Sequence, residues 1–306
     1  MTALAVDGIS YRHGGWRDVD DLPAARPDQI KALNAGGLRR YSVLDRPPRE
    51  WYAECATESL EKAGVAPADV DAVVFISSTF AAYDDHADLI TLAHTLGMSH
   101  ALPLGVFLGQ CTNFSQALMV IDGLFRAGHA RTVLLVGADA LDEGRASRIL
   151  DGNLSVFSDT VFTCVVTAGG ASGFRLRHVR HRVVPELSAL DPARQFLRII
   201  DLFAGNLGAL CRATYEETGH GPDDLARLVL ANLAVPVLKN YAAVAAVPFD
   251  RVPAANIPRF GHCFAYDQLI TLSTLAERDE VRPGDLLHVV GVGGNYVFSS
   301  LLVSRL

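Results

Sequence analysis

Two short runs, ADVDAVVFISST at 68–79 and RTVLLVGAD at 131–139, are apolar and β-branched with little alternation. That is the pattern of strands buried on both faces, as in a parallel sheet. Around them apolar residues recur at helical spacing instead. In WYAECATESLEKAG (51–64), Tyr52, Ala56 and Leu60 mark one face, Lys62 lies in the last turn and Gly64 follows as a cap. The segment is predicted to be an amphipathic helix with Cys55 in its buried face. In TNFSQALMVIDGLFRAG (112–128), Phe114, Ala117, Leu118, Ile121, Leu124 and Phe125 predict a second, buried helix ended by Gly128, with Cys111 at its start. Strands that alternate with helices in this way define an α/β fold.

The pattern also repeats. APADVDAVVF at 66–75 matches GPDDLARLVL at 221–230 in its Pro, Asp and apolar spacing, 155 positions on. RTVLLVG, ending at Gly137, parallels DLLHVVG, ending at Gly291, 154 positions on. A third pair sets QCTNFSQAL at 110–118 against HCFAYDQLI at 262–270, sharing the Cys and the Gln at Gln116 and Gln268. The chain therefore reads as two copies of one α/β unit, residues 1–172 and 173–306, whose equivalent helix starts meet near a pseudo-two-fold axis.

Composition narrows the function. The 306 residues are 50% hydrophobic with a net charge of -7, enough for a large core and opposed to the basic surface that nucleic acid requires. No apolar run suits a membrane span, and the start MTALAVDGISYRHGG has no basic region followed by an apolar signal core, so a cytoplasmic protein is expected. Cys55, Cys111, Cys164, Cys211 and Cys263 are scattered without CxxC spacing, which predicts free thiols and no metal site. No GxGxxG or Walker loop follows a strand. RLRHVRHR (175–182) concentrates four Arg and two His. It reads as a charged edge strand or, alternatively, as a surface for a phosphopantetheine phosphate or an acidic carrier protein.

Cys111 stands apart from the other thiols because a helix start, with its partial positive charge and free N–H groups, favours a thiolate nucleophile. With this residue in view, the chain resembles a ketoacyl-ACP synthase III homologue of the thiolase superfamily over nearly its whole length. The resemblance rests on GQCTNFSQAL (109–118), FSDTVFTCVV (157–166), LVLANLAV (228–235), FGHCFAYD (260–267) and GVGGNYVFSSLLV (291–303). It implies a five-layered αβαβα sandwich of two related halves, a homodimer, and Cys111 as the residue that takes an acyl group from a thioester.

Departures from the family pattern carry more information. Where decarboxylative members have an HQAN motif this chain has Val229-Leu230-Ala231-Asn232, and where they have GN it has Gly261-His262. Valine can neither donate nor accept a hydrogen bond, so the two-donor site for a developing enolate is lost and Claisen condensation is disfavoured. What remains is Cys111 and His262 at apposed helix starts with Asp267 five residues on, a Cys/His/Asp set suited to moving an acyl group onto a hydroxyl or amine. A branch of the family that forms esters late in antibiotic pathways has a similar rearranged set. His262 has a second reading as a helix-capping or hydrogen-bonded core histidine. The Asp267 pairing requires His262 to lie in the loop before the helix; otherwise Asp84, Asp85 or Asp159 would orient it.

Gly293 and Gly294 match the family's loop whose backbone N–H joins that of Cys111 in holding the thioester oxyanion, with Asn295 replacing a third glycine; Asn232 and this loop line the site. The function expected is an acyltransferase without a tightly bound cofactor, taking its acyl group from acyl-CoA or acyl-ACP and giving it to a small-molecule acceptor in secondary metabolism. A carrier protein is a candidate partner. The alternatives are an acyl shuttle between CoA and carrier protein, a β-ketoacyl synthase forming a carbon-carbon bond, and a non-catalytic partner subunit, which the presence of Cys111 opposes. Acyl length depends on loops and on segment 186–220.

Overall fold

The structure is a computed structural model that describes residues 4–79, 87–142, 146–294 and 296–306. Asp84, Asp85 and Asn295 lie outside the described residues. In chain order the first part contains β1 (Leu4–Arg12), β2 (Gly15–Asp18), α1 (Pro27–Ala35), β3 (Arg40–Val43), α2 (Arg49–Ala63), β4 (Ala72–Ile76), α3 (Ala87–Thr95), β5 (Leu102–Val106), α4 (Asn113–Arg126), β6 (Thr132–Asp139), β7 (Ile149–Leu150), β8 (Ser155–Val156) and β9 (Thr160–Ala168). The second contains β10 (Phe174–Val183), α5 (Pro192–Thr218), β11 (Leu225–Val229), α6 (Val235–Val244), α7 (Ile257–Phe260), α8 (Asp267–Glu277), β12 (Leu286–Val292) and β13 (Val297–Arg305).

Among the described residues nine strands form one continuous sheet in the order β11-β12-β13-β10-β1-β9-β6-β4-β5. The pairing pattern is duplicated. β4 runs parallel to β6, β6 antiparallel to β9 and β9 antiparallel to β1; likewise β11 is parallel to β12, β12 antiparallel to β13 and β13 antiparallel to β10. The halves join where β1 meets β10, at Ala5 opposite Arg175 and Val6 opposite Phe174. β5, at the far edge, has no counterpart in the second half among the described residues.

Side-chain alternation explains why the strands read as unbroken apolar runs. On β6, Val133 and Leu135 point into the central core while Leu134 and Val136 point to an outer one, and Val74 and Ile76 oppose Val73 and Phe75 on β4 in the same way. The central core holds α4 (Phe114, Ala117, Leu118, Ile121) and α8 (Leu269, Ile270, Leu272, Leu275) between the two half-sheets. α2 and α3 cover the outer face of the first half, α5 and α6 that of the second. The result is a thiolase-like αβαβα sandwich, with both inner helices buried in its middle layer. α2 ends as predicted, on Gly64 in the left-handed conformation at φ 64°.

One sequence expectation is overturned. β10, which carries RLRHVRHR, is an interior strand: it pairs with β13 along its length and meets β1 at its start. Its charges serve α5 instead of a free edge. Arg180 and His178 pair with Glu217, and Arg182 Nε donates to Asn206 Oδ1 at 2.7 Å. Arg177 donates to Ser304 on β13 at 2.9 Å.

Candidate active site

The third sequence match is out of register. A short 3₁₀ turn, Gln110–Thr112, leads into α4 at Asn113, and an equivalent turn, Phe264–Tyr266, leads into α8 at Asp267, so the true offset is 154, as for the strands. The first residue of each turn is non-glycine with a left-handed backbone, Gln110 at φ 49° and Phe264 at φ 53°. The structural counterpart of Cys111 is therefore Ala265, and the shared Cys and Gln that suggested a 152-residue offset are coincidental.

In this register the two helix starts use one hydrogen-bond scheme. Gly109 N donates to Asn113 Oδ1 at 2.8 Å, and Cys263 N donates to Asp267 Oδ1 at 2.7 Å. Asn113 Nδ2 then donates to the Ser77 carbonyl at 2.9 Å, whereas Asp267 Oδ2 accepts from the Asn232 N–H at 2.7 Å, Asn232 lying 155 positions beyond Ser77. An amide both donates and accepts, but a carboxylate only accepts. Exchanging one for the other turns a helix-start brace into an anchor with a lone pair to spare. That lone pair meets His262 Nδ1 at 2.5 Å.

His262 lies in the loop before the turn, the placement that pairing with Asp267 requires. Strand β8 holds its backbone: His262 N donates to the Val156 carbonyl at 2.7 Å, and Ser158 N donates to the His262 carbonyl at 2.9 Å. The chain passes so close that a Cβ on Gly261 would stand 2.4 Å from the Val156 oxygen, and Gly261 has φ 61°, so only glycine fits. With Nδ1 donating to Asp267, Nε2 faces Cys111 Sγ at 3.3 Å. Phe157 and Phe264, stacked on each other at 4.6 Å, flank the imidazole at 5.3 and 5.9 Å. Sequence reasoning missed both rings; the family-like FSDTVF stretch was the available signal for Phe157.

Electrostatics follow from this enclosure. His262 and Asp267 are 3% and 0% exposed, and Cys111 alone among the five cysteines is not fully buried. Burial opposes a charge on His262, but the facing Asp267 carboxylate, the Cys111 sulfur and the hydrogen bonds to both outweigh it, and the net result lifts the imidazole well above its ordinary pKa. Burial pushes Cys55 up to about 11 and Cys211 up to about 12, and raises Cys164 and Cys263 strongly, so none of these thiols is primed.

Asp159 does not orient His262. It forms a two-pronged ion pair with buried Arg148, at 2.9 and 3.1 Å, and accepts from the Leu44 and Leu141 N–H groups. Val229 is packed in the central core. Gly293 N donates to the Val297 carbonyl at 2.8 Å, which closes the turn carrying Gly294 and commits that N–H group. Buried Asn232 anchors Asp267 through its backbone, while its side-chain Nδ2 has no hydrogen-bond partner among the described residues. Among the described residues no group of three or more His, Cys, Asp or Glu could hold a metal ion, and no helix is long and apolar enough to cross a membrane.

The fold and this buried helix-start site define a thiolase-superfamily protein. Residues 215–305 match the family described as 3-oxoacyl-[acyl-carrier-protein (ACP)] synthase III C terminal. Beta-ketoacyl-[acyl-carrier-protein] synthase III 4 of Streptomyces coelicolor is 31% identical over 288 residues, covering 87% of this chain and 85% of its own. Synthase III 2 of Streptomyces avermitilis is 27% identical, covering 94% and 92%. The chain belongs to the ketoacyl-ACP synthase III family, whose enzymes carry out acyl transfer or condensation. Among solved structures it resembles the acyltransferase ChlB3, with a TM-score of 0.85 at 19% identity over 99% of this chain and 98% of that one. It also resembles FabH of Pseudomonas aeruginosa, with a TM-score of 0.79 at 22% identity, covering 99% and 98%. At such identities these likenesses speak for the fold alone.

Proposed function

We propose that the protein is a thioester-dependent acyltransferase that loads an acyl group onto Cys111 and passes it intact to a hydroxyl or amine of a natural-product acceptor. The observation that carries this reading is the contiguous Cys111–His262–Asp267 chain, in which a histidine stands at the position the resemblance gives to the family's GN asparagine. In the first half-reaction the Cys111 sulfur attacks the thioester carbonyl and its proton passes to His262 Nε2. The C–S bond to the carrier then breaks, and the departing thiol takes that proton. In the second, His262 removes the acceptor's proton as its oxygen or nitrogen attacks the Cys111 thioester, and the proton returns to the cysteine sulfur. Asp267 fixes the tautomer and stabilises the transient imidazolium. The N–H groups of Cys111 and Gly294 are assigned to the oxyanion.

The donor is acyl-CoA or an acyl carrier protein, and no tightly bound cofactor takes part. A homodimer is proposed as well: β5 is a sheet edge, and Leu102, Leu108, Met119 and Val120 beside it are 51%, 87%, 52% and 41% exposed. The second reading, a carbon-carbon condensing enzyme, is favoured by the names of the relatives. Incubation with malonyl-CoA and an acyl primer separates the two. The transferase reading predicts no CO2 release, whereas CO2 evolved in step with a β-ketoacyl product overturns it.

A further inference from the structure

The Gln110 side chain has no role in the scheme above, yet its placement is the least ordinary at the site. The residue is held at φ 49°, where a non-glycine residue is uncommon and costs about 1 kcal/mol or more. The elbow that imposes this is braced on both sides: Thr112 N and Oγ1 donate to the Gly109 carbonyl at 3.0 and 2.7 Å, and Gly109 N is held by Asn113. In the twin turn the same backbone throws Phe264 against His262. At Gln110 it throws a carboxamide across Gly294, with Oε1 2.8 Å from where a Cβ on that glycine would stand. Gln110 is exposed while Gly109, Thr112 and Asn113 are buried, and its carboxamide has no hydrogen-bond partner among the described residues. An unpaired donor and acceptor thus lies over the loop assigned to the oxyanion, one residue from the nucleophile, on the solvent side.

Cys111 is itself partly exposed, so a thioester that reaches it on the Gln110 side lays its carrier arm past this carboxamide. In both CoA and carrier-protein donors that arm has an amide two carbons from sulfur. We propose that the Gln110 carboxamide hydrogen-bonds this first amide and is the residue by which the enzyme selects amide-bearing thioesters. The proposal rests on Cys111 being the acyl carrier.

The test uses the full chain and matched probes, S-acyl N-acetylcysteamine, which has the amide, and the S-ethyl thioester of the same acid, which lacks it, for acyl chains from acetyl to octanoyl. Acylation of Cys111 is timed by intact mass with peptide mapping. Gln110→Gly suits the left-handed backbone and removes the carboxamide, and Gln110→Asn keeps a shorter one. Gln110→Gly should slow acylation by the N-acetylcysteamine thioesters about ten-fold, the worth of one hydrogen bond, and leave the S-ethyl thioesters within about two-fold. Gln110→Asn should recover part of the loss. Equal slowing with both probes would place the carboxamide at the reacting carbonyl and overturn the proposal, as would no slowing with either. If the unaltered protein is acylated by neither probe at Cys111, the acyl-carrier reading fails and this one with it; normal wild-type acylation with indifferent variants removes only the role of Gln110.

Discussion

At the scale of single residues, one exchange makes the proposed chemistry available: where the first helix start has Asn113, the second has Asp267. Asp267→Asn should therefore be worse than a simple loss of charge. If the amide oxygen keeps Cys263 N, the amide nitrogen confronts two donors, Asn232 N–H and His262 Nδ1–H. Acyl transfer should fall by about 10² or more, with the imidazole tautomer disturbed. His262→Ala should lower turnover by about 10² to 10⁴ while Cys111 still acylates slowly. The raised pKa of His262 gives a separate readout. Because the folded value lies above the ordinary one near 6.5, the ion pair contributes stability fully below about pH 6.5 and loses it as pH rises through the folded value. Relative to His262→Gln, the wild type should lose stability on the alkaline side of neutrality. By NMR titration, Cys111→Ala should bring the His262 pKa down, and Asp267→Ala should bring it down further, since the carboxylate is the larger of the two raising influences. Unchanged titration in both variants would contradict the electrostatic account.

At the scale of elements, the strands, α2 and α4 were legible because their information is local: period, caps and β-branched runs. The register between the two helix starts was not. Matching Cys to Cys and Gln to Gln pulled the alignment two residues away from the turn geometry, and only the left-handed residues Gln110 and Phe264 reveal the true equivalence. The charged strand misled for a related reason. A run of Arg and His reads as solvent-facing, but Glu217 and Asn206 on α5 supply its partners from a distance in sequence that no local pattern encodes. The sequence proposes Cys111, His262 and Asp267 as one set and the structure brings their side chains into contact, whereas Phe157, Phe264 and the backbone anchor at Asn232 depend on tertiary approach that the sequence does not display. Gly261 connects the halves at this scale. Gly261→Ala adds a Cβ against the Val156 carbonyl at a left-handed φ and should destabilise the fold by about 2–4 kcal/mol, read as a lowered denaturant midpoint, with transfer activity lost even where the protein remains folded. A neutral substitution would show that the β8 contact does not position His262.

For the whole molecule, duplication places two inner helices in one buried layer, and divergence between the copies puts Cys111 at the start of one and His262 before the start of the other. We take residues 1–172 and 173–306 as the two units. The exposed apolar rim around β5 leads us to expect a dimer; light scattering at micromolar concentration checks it, and Met119→Lys with Leu102→Lys should shift the protein toward monomer. The central claim is that Cys111 receives an acyl group and, with His262 and Asp267, gives it up intact. Time-resolved intact-protein mass spectrometry with a panel of acyl-CoAs, malonyl-CoA included, tests this most directly. The account predicts an adduct of the complete acyl mass on Cys111 alone, absent in Cys111→Ala and slow to form and discharge in His262→Ala. An adduct that persists in Cys111→Ala, or a malonyl adduct that loses CO2 on the wild-type enzyme, would contradict it.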